Sequence, residues 1–68
     1  MNEENFNMSI RKFLKMTGVG SQREIEQAVA KALADGKLRG KEKLAARIRL
    51  TIPAIGLEVD FESDINLE

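Results

Sequence analysis

The sequence predicts an α+β fold: two helices packed on one face of a C-terminal antiparallel β-hairpin, in the order α-α-β-β. Three observations predict it. Residues 43–67 alternate apolar and polar side chains on both sides of Pro53-Ala54-Ile55-Gly56, which is the period of strands with one buried face. Residues 2–17 and 22–35 carry apolar residues at the helical period instead. Between those two segments stand Gly18-Val19-Gly20 and the capping-box pattern Ser21-Gln22-Arg23-Glu24.

The first helix is expected over 2–17. Phe6, Ile10, Phe13, Leu14 and Thr17 form its stripe. Asn2 can cap it, Glu3 and Glu4 suit its first turn, and Arg11, Lys12 and Lys15 suit its later turns. Gly18 or Gly20 ends it. The second helix is expected over 22–35, with a stripe of Ile25, Ala28, Val29, Ala32 and Leu33. Alanines at 28, 30, 32 and 34 raise its propensity. Asp35-Gly36 stops it. Residues 37–42, KLRGKE, form a polar connector anchored by Leu38.

The strands are expected at 43–52 and 57–66. If Ile52 faces Leu57, then Leu50 meets Val59, Ile48 meets Phe61 and Leu44 meets Ile65 on one face. On the other face Thr51 meets Glu58, Arg49 meets Asp60 and Arg47 meets Glu62, with no like charges opposed. A slip of one residue would turn one strand's apolar set into water. Ser63 breaks the parity opposite the small Ala46, so a thin or bulged spot is expected there. The predicted core joins Phe6, Ile10, Phe13, Leu14, Ile25, Val29 and Leu33 to Ile48, Leu50, Ile52, Leu57, Val59 and Phe61. Leu67-Glu68 continues the alternation, but the same dipeptide is a common cloning remnant and carries little weight.

Sixty-eight residues suit one small domain, 1–68, near the lower size limit for folding alone. There is no cysteine and no histidine, so neither a disulfide nor the usual metal staple is expected, and oligomerisation becomes a route to stability. Eleven basic residues balance eleven acidic ones, which argues against a globally basic nucleic-acid binder. The balance hides a local split. Residues 37–52 carry Lys37, Arg39, Lys41, Lys43, Arg47 and Arg49 against Glu42, a net of five positive. Residues 57–68 carry Glu58, Asp60, Glu62, Asp64 and Glu68, a net of five negative. Two strands that pair and neutralise each other account for this. No apolar run approaches the ~20 residues that span a bilayer. The N-terminal MNEENFNMS is acidic and lacks the apolar segment of a signal peptide. No membrane partner and a cytoplasmic location are expected.

The residues offer little catalytic chemistry. The commonest bases and nucleophiles are missing. Gly18-Val19-Gly20 lies between helices and lacks the third glycine of a phosphate-binding loop, so helix capping is its reading. The acidic residues at 58, 60, 62 and 64 read as a solvated strand face, two of them opposite arginines, and not as a metal site. No enzyme activity, cofactor or metal is expected.

Two surface features invite a functional reading. Met8, Arg11, Lys12 and Lys15 cluster opposite the Phe6–Phe13 stripe, and such a face could dock an acidic partner or a phosphate backbone. The hairpin edges could pair with a second copy, giving a homodimer, or capture a partner's strand. The segment MTGVGSQREIEQAV also has the outline of a helix-turn-helix, with the hairpin as a wing. Its nucleic-acid face would be Gln22, Arg23 and Gln27 with Lys37, Arg39 and Lys41. The helix part of that face is nearly neutral, because Glu24 and Glu26 adjoin Arg23, whereas phosphate contacts need lysine and arginine.

FNMSIRKFLK, GVGSQREIEQAV and the LTIP and GL flanks of the hairpin turn resemble a family of short uncharacterised bacterial proteins, a domain of unknown function. The resemblance runs over nearly the whole chain, with Gly20 where a threonine would stand. It implies no activity, substrate or site. The expected function is a small non-enzymatic interaction module that binds a protein partner or itself. The alternative is a winged-helix-like nucleic-acid-binding module.

Overall fold

One helix, and not two, occupies the N-terminal half. The computed structural model describes all residues, 1–68, and its elements are α1 (Glu3–Ala34), β1 (Lys43–Ile52), a short 3-10 turn (Pro53–Ile55) and β2 (Leu57–Asn66). The fold remains α+β. The expected helices at 2–17 and 22–35 are merged, and the expected break at Gly18-Val19-Gly20 is helical backbone.

The reason lies in competing local terms. Each glycine in a helix interior costs about 1 kcal/mol against alanine, about 2 kcal/mol for the pair. Breaking the helix would require a second nucleation, which costs about 4 kcal/mol at a nucleation constant near 10⁻³. A serine cap at position 21 would return only about 1 kcal/mol of that. Continuity therefore wins by a small margin. Neither Gly18 nor Gly20 takes a positive φ. Thr17 adds a local tie, its hydroxyl donating to the Phe13 carbonyl at 2.7 Å.

The helix ends follow the sequence closely. The Asn2 side chain accepts from the Asn5 N–H at 3.0 Å, and Glu3 and Glu4 fill the first turn. At the other end the Gly36 N–H donates to the Leu33 carbonyl at 3.2 Å and the Lys37 N–H to the Ala32 carbonyl at 2.8 Å. Gly36 sits at φ +76. These two bonds and the left-handed glycine make a Schellman stop.

The hairpin has the register read from its alternation. Ile52↔Leu57, Leu50↔Val59, Ile48↔Phe61 and Leu44↔Ile65 share one face, and Thr51↔Glu58, Arg49↔Asp60 and Arg47↔Glu62 the other. Both strand ranges, 43–52 and 57–66, match. Pro53 opens the 3-10 turn, and Gly56, at φ 66, closes it. The Ala46↔Ser63 pair interrupts neither strand, so the expected bulge is absent and only a shallow hollow marks these small side chains. The Leu67 N–H donates to the Glu42 carbonyl at 3.0 Å, which carries the pairing one step past Asn66.

The chain divides into two compact units, Met1–Lys37 and Leu38–Glu68. No side chain in either is buried, so the core predicted from Phe6 to Phe61 is not formed as such. Each unit is a single layer: a helix, or a two-stranded sheet. A single layer shields a side chain only against its neighbours on the same face, and burial needs a second layer. Leu44, Leu50, Leu57 and Ile65 reach half-burial in this way, while Phe61 remains 61% exposed.

Candidate interaction surfaces

Continuity of α1 redraws its surface. At about 100° per residue, the stripe of Phe6, Ile10, Phe13, Leu14 and Thr17 and the stripe of Ile25, Ala28, Val29, Ala32 and Leu33 are offset by roughly 80° around one axis. The first stripe carries the larger side chains, with Phe6 at 51% and Phe13 at 47% exposure. The sequence pattern predicts these residues in the core. No signal in the sequence separates an apolar stripe that faces a core from one that faces a partner.

Met8, Arg11, Lys12 and Lys15 lie together on the opposite side of α1, all exposed. The uninterrupted helix brings Gln22 and Glu26 onto that same side, since residues eleven apart are nearly in line. Of the residues expected to face nucleic acid, Gln22, Arg23 and Gln27 spread over more than a third of the helix circumference at this spacing. With no turn at 18–20, the helix-turn-helix outline is not formed. Lys37 belongs to the first unit, and Arg39 and Lys41 to the second.

The connector holds a feature the sequence reading passed over. The Glu42 carboxylate accepts from three successive backbone N–H groups. Arg39 donates at 2.9 and 3.1 Å, Gly40 at 3.0 Å and Lys41 at 3.1 Å. Gly40 supports this curl at φ 95. The bonds, led by that from Arg39, hold the Glu42 carboxyl below the usual carboxylate range. The Glu42 carbonyl receives the Leu67 N–H, so one residue fastens both the connector and the open end of the hairpin. The glycine two residues before a glutamate was the available clue. Leu38, the expected anchor, is half-buried.

On the polar face of the hairpin, Arg49 is the one cation in ion pairs, with Asp60 at 2.9 Å and Glu58 at 3.4 Å. Arg47 and Glu62 stand opposite each other without forming one. The arginine partners expected for Asp60 and Glu62 thus become a single arginine shared by Asp60 and Glu58. No three carboxylates gather closely enough to hold a metal ion. No helix is long and apolar enough to cross a membrane.

Comparison with known proteins places the chain. The model of a family of unknown function, DUF6494, matches residues 1–68, and the chain belongs to that family. The match includes Leu67 and Glu68, which the sequence reading discounted. No curated protein and no solved structure matches it.

Proposed function

We propose that this member of the DUF6494 family is a non-enzymatic interaction module of the cytoplasm, acting by binding a protein partner or a second copy of itself. The observation that carries this reading is the exposure of Phe6, Ile10, Phe13 and Leu14 along one side of α1. Such a contiguous apolar stripe marks an interaction surface, and an amphipathic helix laid into a groove is a common recognition mode. Full burial of each such side chain contributes about 1.5–3 kcal/mol. These four are already about half covered in the free chain, so burying them contributes roughly 3–6 kcal/mol. Association costs about 4–15 kcal/mol of rigid-body freedom, so the partner's own apolar side chains must contribute as well. The basic side of α1, with Met8, Arg11, Lys12 and Lys15, would add steering toward an acidic partner.

Sedimentation velocity over a hundredfold dilution, paired with capture of partners by wild type and a Phe6→Ser/Phe13→Ser variant, tests the reading. It predicts a dimer at micromolar concentration, or an identified partner, that the double variant loses. A wild type that is monomeric at every concentration, with no partner sensitive to the two substitutions, would overturn it.

A further inference from the structure

The hairpin's register fixes which backbone groups its edges offer. The bond from Leu67 N–H to the Glu42 carbonyl makes that residue pair a hydrogen-bonded one. By antiparallel alternation, Ile48↔Phe61 and its same-parity neighbours are bonded pairs too. The residues between them turn their N–H and C=O groups away from the partner strand. On β2 these are Glu58, Asp60, Glu62 and Asp64, and on β1 they include Lys43, Arg47 and Arg49. The sheet has two strands, so each has a side that the other does not use.

Charge then selects among occupants. A symmetric pairing of β2 with β2 of a second copy sets Asp60, Glu62 and Asp64 against one another. A symmetric pairing of β1 with β1 does the same with Arg47 and Arg49. Like charges directly opposite are destabilising, so the charges work against a two-fold dimer through either edge. Within the hairpin itself, β2 is matched by a strand that alternates basic and apolar residues. That match leaves Glu62 and Asp64 without an ion pair.

Resting on the interaction reading above, we propose that the β2 edge takes up an extended segment of a partner protein, one alternating basic and apolar residues, as a third strand. The partner's basic residues would stand beside Asp60, Glu62 and Asp64, and its apolar residues beside Val59, Phe61 and Ile65. Backbone bonds to the outward groups of Glu58, Asp60, Glu62 and Asp64 would supply the ladder.

The test is a fluorescence-anisotropy titration of the full chain with a labelled peptide of alternating arginine and valine. Its controls are the same peptide with glutamate for arginine, and the arginine peptide N-methylated on alternate amides along both edges in turn. The proposal predicts binding of the first peptide, loss of binding with glutamate, and loss with methylation of one edge. It also predicts about tenfold weaker binding to a Glu62→Gln/Asp64→Asn variant, whose hairpin keeps both Arg49 ion pairs. Equal binding by all methylated forms would reduce the effect to charge attraction and overturn the proposal. So would equal binding to wild type and variant, or a β2 edge found paired with a second copy. A chain that ignores the peptide yet loses its partner on Phe6→Ser/Phe13→Ser would sink the edge proposal and leave the interaction reading standing.

Discussion

Gly18 and Gly20 carry the sharpest residue-scale consequence. A Cβ at either position meets nothing within 4 Å, and both lie in helical backbone. Gly18→Ala/Gly20→Ala should therefore stabilise α1 by up to about 2 kcal/mol, read as a rise in helicity and melting temperature. A turn at this place would make the same substitutions destabilising. Glu42 gives a second consequence. Its carboxyl is held below its ordinary value near 4.5 by the Arg39, Gly40 and Lys41 N–H groups. A lowered folded-state value means that the unfolded chain binds the proton first. The stabilisation by Glu42 is therefore full above the ordinary value and fades as pH falls through the lowered one. Glu42→Gln should thus speed amide exchange at Gly40 and Lys41 at neutral pH, and the difference from wild type should shrink in acid. A difference that persists unchanged in acid would show that the charge is not what orders the connector.

Among the elements, the hairpin was legible from sequence and the continuity of the helix was not. Alternation in β1 and β2 leaves one register that keeps Leu44, Ile48, Leu50 and Ile52 on one face, because a slip inverts the whole strand. Helical periodicity has no such penalty. The stripes before and after Gly18-Val19-Gly20 are each consistent with one long helix or two short ones, and Ser21-Gln22-Arg23-Glu24 fits both a helix start and a helix interior. The outcome turns on a difference of one or two kcal/mol among nucleation, glycine and capping terms. Burial was misread for a related reason: apolar parity says which residues share a face, and not what covers that face. Phe61 follows from this. Fully buried, its truncation to alanine would cost about 3–5 kcal/mol. Exposed as it is and paired with Ile48, Phe61→Ala should cost about 1 kcal/mol at most, the scale of one cross-strand pair. Urea titration of the variant measures it, and near-complete unfolding would place Phe61 in a packed core.

For the whole molecule, neutrality and exposed apolar surface point the same way. Net charge is zero, and the sequence pI is about 6.3, so no long-range self-repulsion opposes association near neutral pH. Association through the Phe6–Phe13 stripe should be nearly insensitive to salt and carry a negative heat-capacity change, the mark of apolar burial. Calorimetric dilution at two temperatures measures this. An association abolished by moderate salt would shift the weight to the charged surfaces, Arg11, Lys12 and Lys15 or the β2 edge. The Phe6–Phe13 stripe, the basic side of α1 and the β2 edge all depend on one uninterrupted helix and one hairpin. Backbone Cα secondary chemical shifts of the full chain test that architecture most directly. The account predicts an unbroken helical run from Glu3 to Ala34, with extended runs over 43–52 and 57–66. Shifts that fall to coil values at Gly18–Gly20, with a fresh helix start at Ser21, would contradict it.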